Sequence, residues 1–245
     1  MNKAIILAAG KGSRLAPLTD MAPKPLVEVN GTPIIVNALE NLAAFGIKDV
    51  YIVKGYLGDV LELRLGSHFK NLNLHYILNK DYAGTNSMYS LLLGMKVIEQ
   101  EEDIMVLEGD VFFEKSVFNN LSALSSISWF GDSNETQLDG CYLKAEGSVV
   151  KEIKICRNSE QRVETPGLTF LKSVGILAIK KVVFNDVIRI LEDGVANNKS
   201  NLYYDLIFAE NLEDFLITTQ DICGKKWFEI DSPEDLAICE QIFKK

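Results

Sequence analysis

The stretch Leu7–Leu26, LAAGKGSRLAPLTDMAPKPL, decides how this chain is read. It continues a short apolar run, Lys3–Ala9, and a plain turn after a strand needs one or two glycines rather than a loop this long. Gly10 and Gly12 let the backbone approach a ligand closely and aim N–H groups at phosphate oxygens. Arg14 adds a planar, permanently charged fork suited to phosphate, and Lys24 stands between Pro23 and Pro25. The loop matches neither GxxxxGKS/T nor GxGxxG. GKG alone is an ordinary turn about half the time, so its meaning depends on the rest of the chain.

Working outward, strand-like runs at Lys3–Ala9, Asp49–Gly55, Leu72–Asn79 and Asp103–Glu108 alternate with helical patterns at Ile34–Phe45, Gly58–His68 and Asn86–Glu99. Such alternation implies βαβ units and a mostly parallel sheet, whose ligands bind beyond the carboxyl ends of the strands. The opening loop leaves the first strand at that edge. Gly46 reads as the residue that closes the first helix. In the second half, Gly140–Ala145, Val149–Ile155 and Leu171–Ile179 read as an antiparallel extension, Val182–Ala196 and Leu202–Asn211 as helices, and Phe215–Asp221 and Trp227–Ile230 as short strands. Ser232 and Pro233 start a last helix with a capping-box variant. One domain, 1–245, is expected, with a lid or flap over 125–170.

The 245 residues are 47% hydrophobic and 24% charged, as in an ordinary soluble protein. A net charge of −9 and a pI near 4.9 argue against broad nucleic-acid binding while leaving room for a local phosphate pocket. No apolar run approaches a membrane span, and the N-terminal apolar run is too short for a secretory signal. Cys141, Cys156, Cys223 and Cys239 are scattered without metal-ligand spacing, which reads as reduced thiols in the cytoplasm. His68 and His75 have no neighbour that suggests catalysis.

With PKPL following LAAGKGSRL, the opening resembles the signature of nucleotidyltransferases that activate sugar phosphates or phospho-alcohols: a strand, G-x-G-S/T-R-L, then P-K-P-L. The resemblance implies an α/β, Rossmann-like fold over essentially the whole chain: a mixed, mostly parallel sheet flanked by helices, with a small antiparallel β extension. It makes Leu7, Ala8, Ala9, Gly10, Lys11, Gly12, Ser13 and Arg14 the nucleotide-binding segment, with Arg14 and Lys24 as the catalytic cations. In IMVLEGDVFFE it makes Asp110 a Mg²⁺ ligand; in WFEIDSPEDL it makes Asp231 the second, with Glu229 a supplement. The plainer reading of Asp231 is a residue before a helix cap. Glycosyltransferases also keep acids at a strand end, but they usually show D-x-D where this chain has E-G-D.

YAGTNSMYSL, LYYDLIFAENL and WFEID narrow the resemblance to cytidylyltransferases acting on phosphocholine and on 2-aminoethylphosphonate. Thr85, Asn86 and Ser87 at a helix start suit either a base edge or simple capping. Tyr203, Tyr204 and Trp227, with Asp205 as counter-charge, read as an aromatic wall for an ammonium or else as core packing. Lys154 and Arg157 suit either the acceptor's phosphate or the surface. The expected reaction is attack of an acceptor phosphate or phosphonate oxygen on the α-phosphorus of CTP, expelling pyrophosphate. The acceptor is anionic at neutral pH, so no general base is needed. The alternatives are a sugar-1-phosphate nucleotidyltransferase using UTP, GTP or dTTP, and a nucleotide-binding regulatory protein without catalysis. Neither the acceptor nor the oligomeric state follows from the sequence.

Overall fold

The computed structural model describes residues 1–98, 102–119, 124–134, 139–156 and 166–244. At its centre the strand Lys3–Ala8 lies between Asp49–Lys54 and Ile104–Glu108, parallel to both, with Ile5 opposite Val106 and Leu7 opposite Glu108. Side chains alternate across this strand, so both faces must be covered. Ile5 joins a core with Met88, Leu91 and Met95 of the helix Ser87–Lys96 and with Phe184 and Val187 of the helix Phe184–Ala196. Ala4, Ile6 and Ala8 face the other way, onto Ile35, Ala38 and Leu39 of the helix Ile34–Phe45. That helix ends at Gly46, whose φ of 102° closes it in the left-handed conformation expected of such a glycine.

The sheet continues past Asp49–Lys54 through Leu72–Leu78 to His68–Phe69 at one edge. In the other direction Thr169–Ile179 runs antiparallel to Ile104–Glu108; Ile127–Asp132 follows it, and Ile217–Asp221 follows in turn, parallel to its neighbour. Val149–Cys156 and Gly140–Glu146 form the antiparallel far edge. The mixed, mostly parallel sheet with flanking helices and an antiparallel extension is therefore the architecture expected from the alternation.

One expectation fails. Residues 127–132, assigned to a lid, are a buried interior strand of the main sheet. Trp129 is fully buried; its Nε1 donates to Ser173 Oγ at 2.8 Å and its ring packs on Tyr204 and Phe208 with centroids 5.7 Å away in each case. The serines around Ile127 dilute the apolar signal, and burial on both faces removes the alternation that marks a strand. The rest of the assigned lid splits: Gly140–Glu146 and Val149–Cys156 are the expected strands, while 135–138 and 157–165 lie outside the described residues.

The long strand Thr169–Ile179 belongs to two pairings. Its first half meets Gly140–Glu146, and its register against Ile127–Asp132 shifts between Ser173 and Leu177. Gly175 in that shift has φ +71°, and a Cβ there would come within 2.8 Å of Glu108 Oε2. The bend carries Lys172 and Ser173 toward the carboxyl edge of the parallel strands. A small third core, with Leu15, Val27, Phe112, Ile230 and Cys239, ties the opening loop to the C-terminal helix Pro233–Ile242. Trp129→Ala is expected to cost about 3–5 kcal/mol, the range for removing a large buried aromatic. Urea unfolding measures it, and a loss below about 1 kcal/mol would fit a lid rather than a core strand.

Candidate active site

A cavity of about 890 Å³ opens at the carboxyl ends of Lys3–Ala8 and Ile104–Glu108, and Leu7 to Arg14, Lys24, Asp110, Glu229 and Asp231 all line it. The loop is shaped by its glycines. Gly12 sits at φ +63°, and a Cβ there would come within 2.8 Å of Lys24 Cβ, so the loop closes directly on the lysine stem. Gly109 packs so closely on the first strand that a Cβ would lie 2.6 Å from Leu7 O, and its N–H donates to that oxygen at 3.0 Å. The residue after Gly109 is thereby fixed at the strand's carboxyl edge.

Val111–Phe113 pairs antiparallel with Trp227–Glu229, and Ile230 N–H donates to Asp110 O at 3.0 Å. That ladder sets Asp231 beside Asp110. The cap of the last helix holds it there: Ser232 Oγ accepts from Asp235 N, and Asp235 Oδ2 accepts from Asp231 N at 3.1 Å. Lys24 Nζ then donates to Asp110 Oδ2 and to Asp231 Oδ1, each at 2.7 Å, and Arg14 reaches Asp231 Oδ2 at 2.8 Å. Burial opposes the charge on Lys24, but the two carboxylates outweigh it and hold its pKa above the ordinary lysine value. Burial likewise raises Asp231, yet Lys24 and Arg14 together leave its pKa below the usual carboxylate range. Asp110 Oδ1 is buried and accepts no hydrogen bond among the described residues. No three His, Cys, Asp or Glu side chains assemble into a metal cage among those residues. Glu229 does not join the pair; its Oε2 lies 3.4 Å from Lys172 Nζ.

Thr85, Asn86 and Ser87 line the cavity and also carry structural bonds. Asn86 Oδ1 caps Ser87 N–H at 2.8 Å, Thr85 Oγ1 donates to Asp81 O at 2.9 Å, and Ser87 Oγ accepts from Tyr204 N at 3.1 Å. The capping reading of this segment therefore holds, and the segment also faces the cavity. Asn79 and Ser90, which the sequence does not single out, stand behind it, with Asn79 Nδ2 donating to Ser90 Oγ at 3.2 Å.

The expected aromatic wall does not form. Tyr203 lines the cavity, but Tyr204 is fully buried against Trp129 and Phe208. Trp227 is 4% exposed, and its Nε1 donates to Asp132 Oδ2 at 3.0 Å, inside the core and away from the cavity lining. Period-two alternation correctly gives Trp227 and Glu229 one face, but the cavity stops at Glu229 and two residues of strand span about 7 Å. Lys154 is not part of the lining, and Arg157 lies outside the described residues. In place of the rings, the lining carries Glu108, Asp205 and Glu229, with Cys141, Lys172 and Ser173. Burial pushes Asp205 up to about 6 against a hydrogen bond from Cys141. Burial also pushes Glu229 up to about 7 against the pull of Lys172. Glu108 is raised well above its usual value by burial and then by the charge of Asp205. In the sequence, Glu108 had one legible sign, a second acid at the end of the strand before Asp110.

The raised Asp205 has a consequence for stability. Between its ordinary 3.8 and about 6 the folded chain holds a proton that the unfolded chain has lost. Its contribution is therefore greatest below that interval and falls as pH rises through it. The stability difference between wild type and Asp205→Asn should shift against the wild type from pH 4 to 7, as read by thermal melts at each pH. A flat difference would mean that Asp205 is not strained by burial.

The profile of the nucleotidyl transferase family matches residues 3–126. The chain is 31% identical over 245 residues to the choline-phosphate cytidylyltransferase of Streptococcus pneumoniae, covering 99% of this chain and 98% of that one. It is 29% identical over 238 residues to the CMP-5'-(3-aminopropyl)phosphonate synthase of Streptomyces rubellomurinus, covering 95% of this chain but 37% of the length of that protein. Among solved structures, the CTP:phosphocholine cytidylyltransferase of Streptococcus pneumoniae superposes with a TM-score of 0.78 at 26% identity over the whole of both chains.

Proposed function

Since the chain belongs to the nucleotidyl transferase family, we propose that it moves CMP from CTP to a phosphate or phosphonate monoester bearing an amine, phosphocholine or 2-aminoethylphosphonate, and releases pyrophosphate. The chain is a nucleotidyltransferase, and its cytidylyltransferase relatives support the choice of nucleotide and of acceptor class. The observation that carries the proposal is one cavity lined by two unlike sets of charge. Arg14 and Lys24 line it with the glycine loop, and Glu108, Asp205 and Glu229 line it as well. The first suits a polyphosphate and the second an ammonium. A neutral hexose would leave Glu108 and Asp205 to share the charge of Lys172 with Glu229, which disfavours the sugar-phosphate reading. A binder without catalysis has no use for Lys24 held between two carboxylates.

The loop amides of Gly10 to Arg14 and the Arg14 guanidinium would hold the β- and γ-phosphates, orienting the leaving pyrophosphate in line with the acceptor oxygen. Lys24 would turn from the carboxylates to the α-phosphate and stabilise the charge that develops there. Asp110 and Asp231 fit a hard divalent cation such as Mg²⁺: their oxygens converge, and Asp110 Oδ1 is buried without a donor. With no third ligand of that kind assembled among the described residues, phosphate oxygens and water would complete the shell. Bound there, the metal supplies charge neutralisation on the phosphates. We place the enzyme in the cytoplasm; the four free thiols accord with a reducing compartment, and no helix among the described residues is long and apolar enough to cross a membrane.

The test is pyrophosphate release from CTP, UTP, GTP and dTTP, each with phosphocholine, 2-aminoethylphosphonate and glucose 1-phosphate. Turnover is expected with CTP and an amine acceptor; a preference for glucose 1-phosphate would sink the proposal. Lys24→Ala should lower kcat by at least ~10²-fold, the value of one oriented donor to a transition-state oxygen. Near-wild-type turnover in a folded variant would remove Lys24 from the mechanism. Asp110→Asn and Asp231→Asn should each raise the Mg²⁺ concentration needed for half-maximal rate steeply, and an unchanged requirement in both would show the metal is held elsewhere.

A further inference from the structure

Among its acids the cavity already holds an ammonium of the protein's own. Lys172, on the strand Thr169–Ile179, is 2% exposed. Its Nζ donates to Asp139 O, lies 3.4 Å from Glu229 Oε2 and stands 5.7 Å from the centre of the Tyr142 ring. A carboxylate, a carbonyl and an aromatic face are what a desolvated ammonium requires. The seat is built for this side chain: Gly140 has φ +120°, and any Cβ there would overlap Lys172 Nζ outright.

Lys172 therefore removes Glu229 and Tyr142 from what an acceptor's nitrogen would use. Glu108 and Asp205 line the same cavity, and neither forms an ion pair among the described residues. Asp205 is 4% exposed; the Cys141 thiol and its own backbone N–H hydrogen-bond it, and Lys172 acts on it through charge without forming an ion pair. Three rings that could help cage a quaternary nitrogen are engaged elsewhere: Tyr204 is closed in by Trp129 and Phe208, Trp227 lies in the core, and Tyr142 packs on Phe170 with centroids 4.7 Å apart. Tyr82 and Tyr203 are the aromatic residues of the lining among the described residues. The carboxylate pair Glu108 and Asp205 wants N–H donors, and a trimethylammonium has none.

We infer that Lys172 is a specificity-determining residue: by filling the seat at Glu229 and Tyr142 it leaves the acceptor's nitrogen to Glu108 and Asp205, so that the site takes a primary ammonium and rejects a trimethylammonium. The inference rests on the amine-bearing acceptor proposed above and narrows it.

The experiment follows pyrophosphate release from CTP with phosphoethanolamine, its N-methyl and N,N-dimethyl forms and phosphocholine. A parallel arm compares 2-aminoethylphosphonate with its N-trimethyl analogue, and glucose 1-phosphate serves as the neutral control. In the wild type, kcat/KM should fall with each methyl group, by at least ~10-fold across the series and mainly through KM, as lost charge-assisted hydrogen bonds predict. In Lys172→Met, the trimethyl acceptors should gain at least ~10-fold on the primary amines, with the KM for CTP unchanged. Equal use of primary and trimethyl acceptors by the wild type would overturn the inference and leave the amine acceptor standing. An unaltered ratio in folded Lys172→Met would overturn the role of Lys172. Preference for glucose 1-phosphate over every amine would overturn the proposed function itself. Should Lys172→Met fail to fold, Lys172→Gln is measured in its place, with the same shift expected and an unaltered ratio again overturning the role of Lys172.

Discussion

The ammonium of Lys24, held at 2.7 Å by Asp110 and at 2.7 Å by Asp231, is the contact on which the arrangement turns. Its partners lie 86 and 207 residues away in the chain. A lysine this buried is strongly destabilising unless its charge is matched, and one that also lines a cavity needs its partners fixed. Each is fixed by backbone: Asp110 by the close approach of Gly109 to Leu7, Asp231 by the ladder to Val111 and the cap at Ser232. The glycine loop, the central strand and the last helix are thus committed to one point. The third core, from Leu15 to Cys239, is the apolar seal beneath it.

The rest of the cavity is lined by charge of both signs. Arg14 and Lys24 come from the opening segment, and Glu108, Asp205 and Glu229 line the same cavity with Lys172. Asp110 and Asp231 each lie two residues beyond one of those acids, Glu108 and Glu229. The raised pKa values of Glu108, Asp205 and Glu229 share one leading cause, burial, and a cation bound among them would oppose it.

How much of this was legible in the sequence depends on whether the determinant was local. The loop from Leu7 to Arg14, Lys24 between its prolines, and the acids ending two strands are adjacent residues with a chemical meaning, and all of them line the cavity. The parallel half of the sheet was legible because its strands alternate with helices in order. Trp227 was misplaced because periodicity gives a face but not where along it the cavity ends. Ile127–Asp132, inside the span 125–170 expected as a lid, does not read as a strand because one buried on both faces, with serines beside it, lacks alternation. Lys172 and Cys141 lie on strands the sequence does give, but their place in the site depends on the bend at Gly175 and the register against Gly140–Glu146, which leave no local trace.

The central claim is that Lys24, Asp110 and Asp231 form the reacting centre. The most direct measurement is a crystal structure with Mn²⁺ and a non-hydrolysable CTP analogue, with anomalous scattering locating the metal. The account predicts a peak within coordinating reach of Asp110 and Asp231, with Lys24 Nζ turned to a phosphate oxygen. A metal bound elsewhere, with Lys24 still bridging the two carboxylates, would contradict it.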